Sequence, residues 1–155
     1  MNKIILVLLL SFGFAGSASA DSVETNILKL KELNSCAKCN LKGATLIGEN
    51  LTKADLSYSN LSYADLSYAD LSYADLTKVD LFGANLIGAN LRYANLIGAH
   101  LIGTNLSYAD LSYADLTKAD LGAANLKNAN VENANVENAK FCNTITSWGV
   151  DDSQC

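Results

Sequence analysis

Ala64-Asp65-Leu66-Ser67-Tyr68-Ala69-Asp70-Leu71-Ser72-Tyr73-Ala74-Asp75-Leu76 repeats with a period of five, and that period decides the fold. Followed outward, a bulky apolar residue recurs at every fifth position from Leu41 to Phe141, twenty-one times, eighteen of them Leu. Two residues before each centre the chain prefers a small side chain. Sixteen of these are Ala, and the exceptions are Cys39, Glu49, Ser59, Val79 and Thr104. The residue just before each centre is Asp or Asn in eighteen cases, with Thr45, His100 and Lys140 the departures. An α-helix turns every 3.6 residues and a strand alternates every 2, so neither collects such a pattern on one face. A closed coil with four short sides does. If each pentapeptide forms one side and ends in a corner, the Leu and the small residue face inward and the other three positions face outward. Two inward side chains per side share a narrow interior that must fill to close-packed density, which calls for Ala. Asp and Asn suit the corners, since they bond to nearby backbone and tolerate turn geometry.

Upstream of the repeats, Lys3 precedes an apolar run from Ile4 to Phe14 and small residues ending in Ala18-Ser19-Ala20. That reads as a secretory signal with an A-x-A cleavage site. The run is about half of the roughly 20 residues needed to span a bilayer. The expected organisation is a signal peptide over 1–20, a helical cap over 21–39, repeats over 40–143 and a terminal cap or tail over 144–155. The chain left after cleavage carries ten basic against sixteen acidic residues, a net charge of about −6. That charge disfavours nucleic-acid phosphates and anionic lipid surfaces, so neither nucleic acid nor a membrane is expected as a partner.

The segment Asn40 to Asn143 resembles the pentapeptide-repeat family, whose pattern reads A(D/N)LXX; Ala64-Asp65-Leu66-Ser67-Tyr68 and Ala84-Asn85-Leu86-Ile87-Gly88 are two of its copies. The resemblance implies an all-β solenoid, a right-handed quadrilateral β-helix with four repeats per coil, stacked about 4.8 Å apart. It also admits association through an end coil, so a second copy of the chain joins an unidentified protein among the expected partners. Some members of the family protect DNA gyrase by presenting an acidic rod of duplex-like shape. This chain is acidic, but a signal peptide directs it away from the cytoplasm.

A stacked rod needs caps at both ends. Val23, Ile27 and Leu30 fall at helical spacing, which predicts a short amphipathic helix over 23–34. The tail with Trp148 is the expected second cap. Four cysteines in an exported chain point to disulfides. Cys39 and Cys142 lie about five coils apart, beyond the roughly 7 Å that a disulfide tolerates between Cα atoms. The expected pairs are Cys36 with Cys39 and Cys142 with Cys155. A C-x-x-C pair also serves redox and metal sites, but a redox pair starts a helix and tetrahedral zinc wants four ligands together. Glu49 occupies an inward slot, so either the first coils are expected to be distorted there or its carboxylate is expected to reach solvent near the capping helix.

Nothing in the pattern assembles a catalytic constellation. His100 is the only histidine, at an Asp/Asn-type position between Asp80 and Asp120, and no nucleophile stands beside it. An interior filled with Leu and Ala leaves no pocket for substrate, cofactor or metal. The expected activity is that of an exported, non-catalytic structural or interaction scaffold. Residues twenty apart define its surfaces. Tyr73, Tyr93 and Tyr113 form one aromatic column, and Phe82, Ile87, Ile97 and Ile102 form an apolar band with glycines beside them. Both are candidate interaction surfaces. Ser112, one residue after a central Leu, is expected on the outside.

Overall fold

The computed structural model describes residues 22–152 and 155; the signal-peptide reading of residues 1–20 lies outside them. The chain winds as a four-sided β-solenoid. The residue before each central Leu forms a parallel bridge with the residue twenty positions on, from Ser35↔Asp55 to Asn125↔Ile145. One coil is thus twenty residues, five per side. Stacking begins at Ser35, one pentapeptide ahead of the Asn40 boundary, because Cys36 takes the central inward slot and is fully buried.

Each corner is a tight turn in which the small residue's N–H donates to the Leu carbonyl, as from Ala64 to Leu61 at 3.0 Å. The second residue after the Leu has positive φ, 60° at Tyr63 and 68° at Gly43. A type II turn requires this at its third residue. Here the corner assignment is corrected, since Asp and Asn lie in the bridges and Tyr, Lys, Asn, Gly or, once, Ala occupy the strained corner. The acidic side chain instead directs the corner from outside it. Asp65 Oδ1 accepts the Ser67 N–H at 3.0 Å, and the same bond recurs around the rod. A non-glycine residue at positive φ costs on the order of 1 kcal/mol. In the inner coils the N–H of such a residue also bonds the next coil, as from Tyr63 to the Phe82 carbonyl at 2.9 Å, which helps to offset that cost.

Leu41 to Leu121 are at most 2% exposed, with Ala in nearly every alternate inward slot. Each such Leu contributes about 1.5–3 kcal/mol by leaving water. Polar intruders are satisfied inside: Ser59 donates to the Leu56 carbonyl at 2.6 Å and Thr104 to that of Leu81 at 2.9 Å. The outward set needs correction too. Ser62, Ser67, Ser72, Ser107 and Ser112 are buried, Ser112 at 1% exposure, although the larger Phe82 and Arg92 are exposed at the same position of the repeat; only a short side chain tucks in beside the corner residue.

Helix α1, Val23–Leu33, closes the first coil. Ser22 caps its start, Asn34 its end in the left-handed conformation, and Leu30 is fully buried against the core. Asn26 donates to the Asn40 carbonyl at 2.9 Å, fixing helix to coil. Glu49 turns out of its inward slot to pair with Lys31 in the last turn of α1. At the other end a hairpin, β1 (Thr144–Thr146) and β2 (Gly149–Asp151), lies over one side of the last coil. Disulfides join Cys36 to Cys39, Cα atoms 5.4 Å apart, and Cys142 to Cys155, at 4.9 Å.

Candidate interaction surface

Twenty-residue coils bring Tyr73, Tyr93 and Tyr113 onto one corner. Their rings stack at centroid distances of 4.9 and 5.0 Å, with interplanar angles of 13° and 17°. These distances match the coil spacing, so the ladder follows from the winding itself. Arg92, the only arginine, replaces the Ser of neighbouring copies. Its guanidinium lies 5.0 Å from the Tyr93 ring and 5.2 Å from that of Tyr113. It donates to Tyr93 Oη and to Ser112 Oγ, each at 3.4 Å. The bond to Tyr93 holds the guanidinium further above its ordinary pKa.

The acidic column beside this corner alternates in charge. Asn90 donates to Asp70 and Asn130 to Asp110, both at 3.1 Å, so carboxylates one coil apart are avoided. Burial pushes the Asp110 carboxyl upward. Hydrogen bonds from the Ser112 side chain and backbone, the Arg92 charge and Asn130 outweigh it and hold the group below its ordinary value. Asp70 is lowered in the same way: burial is outweighed by Ser72 and Thr52.

The apolar residues are not gathered into one patch. Phe82 and Ile102 share a corner column, Ile87 stands on the next and Ile97 on the one before, while Arg92 breaks the ring on the fourth. Phe82 is 37% exposed, and the three isoleucines are half-buried. Tyr63 meets Phe82 edge-on at 5.5 Å. The adjacent glycines explain this cover. A Cβ on Gly88 would sit 2.8 Å from Tyr68, one on Gly83 3.0 Å from Tyr63, and one on Gly98 3.3 Å from Lys78. The preceding coil's side chain thus lies down where the next coil offers a glycine. On the tyrosine corner no glycine intervenes, and the rings stack upright.

His100 contacts Asp80 at 3.1 Å and stacks near Phe82 at 6.1 Å. Among the described residues no cluster of His, Cys, Asp and Glu could hold a metal ion, and no helix is long and apolar enough to cross a membrane. Two features escaped the sequence reading. Arg92 had a signal, as an isolated basic residue in a Ser/Thr column beside the tyrosines. The other is a cleft of ≈ 210 Å³ at the carboxy-terminal end, lined by Leu126, Val131, Val136, Phe141 and Trp148 among others; its shape depends on the tail, which follows no repeat.

The family model for pentapeptide repeats matches the chain in eight copies, across residues 35–72, 50–83, 84–122 and 119–145. The chain belongs to the pentapeptide-repeat family. Solved pentapeptide-repeat structures share its form. HetL from the cyanobacterium Nostoc sp. strain PCC 7120, involved in heterocyst differentiation regulation, is 37% identical over 76% of this chain, with a TM-score of 0.60. The chain spans 57% of HetL. A pentapeptide-repeat protein from the Arabidopsis thaliana thylakoid lumen is 30% identical over 62% of this chain and 67% of its own, at a TM-score of 0.61. QnrB1, a plasmid-mediated fluoroquinolone resistance protein, is 25% identical over 68% of this chain and 56% of its own, at 0.55. No curated protein matches the sequence.

Proposed function

We propose that this pentapeptide-repeat protein is exported and acts without catalysis, as a rigid right-handed β-helical scaffold that docks a protein partner on its tyrosine corner. The observation that carries the reading is the Tyr73–Tyr93–Tyr113 ladder with Arg92 across it. Its rings remain 54%, 39% and 43% exposed on a backbone bonded at every coil. Tyr and Arg dominate the energetics of protein interfaces, and a preordered surface loses little entropy on binding. Export is supported by the signal-like leader and by two disulfides that pair all four cysteines.

The likeness to QnrB1 favours a second reading, a duplex-like acidic rod acting on a nucleic-acid enzyme. A duplex carries uniform rows of phosphate charge. Here Asn85, Asn90 and Asn130 interrupt the Asp columns, and Lys140 and His100 stand in another, so the scaffold reading is preferred. Crosslinking in the native host, with the Arg92→Ala, Tyr93→Ala double variant as control, tests it. A partner captured by the parent and lost by the variant, from chains beginning at Asp21, supports the reading. An uncleaved chain, or capture indifferent to the variant, overturns it.

A further inference from the structure

Five of the seven tyrosines are engaged by the chain's own side chains. Lys78 Nζ lies 5.6 Å from the Tyr58 ring, and Lys42 Nζ 5.6 Å from that of Tyr63, which also meets Phe82. Tyr73 stacks on Tyr93, and Arg92 lies across Tyr93 and Tyr113. Among the described residues, Tyr68 and Tyr108 have neither a ring nor a cation beside them. At 69% and 65% they are also the most exposed of the seven. Both stand on one corner, two coils apart, with Gly88 between them. Asp65 lies in the bridge column before that corner, and Asp70 and Asp110 lie in the column after it. From the coil of Tyr68 to that of Tyr108, no lysine or arginine stands on this corner or in either column. The other three corners have their own cations in Lys42, Arg92 and Lys78.

We propose that this corner binds an extended, arginine-bearing segment of another protein, with two guanidinium groups seated against Tyr68 and Tyr108. Arg92 is the precedent within the chain, its guanidinium 5.0 and 5.2 Å from two tyrosine rings. Arginine suits such a place because its flat, weakly hydrated cation stacks on aromatic faces and keeps its charge. An exposed ring attracts a cation within about 6 Å of its centroid. The carboxylates reinforce that attraction. Asp110 is shared with Arg92, but Asp65 and Asp70 have only neutral amides and hydroxyls for partners. Spacing then selects the conformation of the segment. Two coils measure about 9.6 Å along the rod. A polyproline II chain presents the same face every third residue, after about 9.3 Å. A β-strand does so every second residue, after about 6.6 Å, and falls out of step. The partner sequence is therefore Arg-x-x-Arg, running parallel to the rod. The corner is separate from Tyr73, Tyr93 and Tyr113, so the two surfaces stand or fall independently.

NMR titration of the tyrosine ring signals of the oxidised full chain with acetyl-Arg-Pro-Pro-Arg-amide tests the proposal. Saturable shifts are expected at Tyr68 and Tyr108 alone. Tyr68→Ala and Tyr108→Ala should each weaken binding about two- to fivefold, and Tyr58→Ala should leave it unchanged. Gly88→Lys should weaken it as much with an unchanged far-UV spectrum, since the new side chain stands one coil after Tyr68 as Lys78 stands one coil after Tyr58. Lysine accepts that corner, with φ of 51° at Lys78. A peptide with citrulline in place of both arginines should show no saturable shift. Absence of a saturable shift with the arginine peptide overturns the proposal. So does equal binding of the citrulline peptide, which would make the corner an apolar site. An affinity indifferent to Tyr68→Ala and Tyr108→Ala also overturns it, since net charge alone would then be the attraction.

Discussion

Gly88 and Gly103 have nearly the same backbone, with φ of 64° and 66°, yet one is roofed by Tyr68 and the other has nothing within 4 Å of an added Cβ. Replacing each by Ala separates strain from packing. In both, the left-handed conformation penalises Ala by about 1–2 kcal/mol. The loss of unfolded-state freedom returns about 0.4–1 kcal/mol. Gly103→Ala should therefore cost between about 0 and 1.6 kcal/mol. Gly88→Ala must also displace a ring whose atoms lie 2.8 and 2.9 Å from the new methyl group. Tyr68 is 69% exposed and can swing away, so the added cost is the ring's lost contact, on the order of 0.5–1.5 kcal/mol. In thermal denaturation, about 1 kcal/mol corresponds to roughly 4 °C for a domain of this size. In a Tyr68→Ala background the two substitutions should cost the same, since the clash has been removed. Equal losses in the parent, or a difference that survives without Tyr68, would refute the account of ring and glycine as partners.

Leu91→Ala, in a middle coil, is expected to cost about 2–5 kcal/mol by thermal or urea denaturation. Ser112→Ala should cost about 1 kcal/mol, since it strands a bond to Arg92 and removes one that holds Asp110 down; a neutral result would show that its burial is without consequence. Peptide mapping of the non-reduced protein should give Cys36–Cys39 and Cys142–Cys155, and a fragment joining the two ends would be incompatible with the rod. Asp70 and Asp110 have folded pKa values below their unfolded ones. Their contribution is thus complete above the unfolded value, near 4, and is lost as pH falls through the folded value. Asp110→Asn should flatten the decline of melting temperature below about pH 4; an unchanged acid limb would show that Asp110 is not held down.

The period of five was sufficient for the coil, because twenty-one central residues admit few other ways to be buried together. The same period placed Tyr73 above Tyr93 and Asp80 beside His100. It misplaced the corner, since Asp is often found in turns, and only the backbone torsions show that Asp65 governs a bend made by Tyr68's neighbourhood. The burial of Ser112 was hidden for a related reason: an outward direction does not ensure exposure when coils are about 4.8 Å apart. The apolar band read as one surface because Phe82 to Ile102 are close in sequence, whereas a coil distributes consecutive repeats to different corners. The carboxy-terminal cleft was beyond the pattern, since Thr144 to Asp152 do not repeat.

Bonding between residues twenty apart makes the chain a counting device. Gain or loss of a whole coil leaves every column intact beyond the change. Gain or loss of a single pentapeptide preserves an equally good core but turns everything downstream by one quarter of a revolution. Five residues inserted between Tyr73 and Tyr93 would move Tyr93 and Tyr113 together to the adjacent corner, parted from Tyr73, with each Leu still buried. Length in this protein is therefore changed cheaply in twenties, while the arrangement of its surface is rewritten in fives.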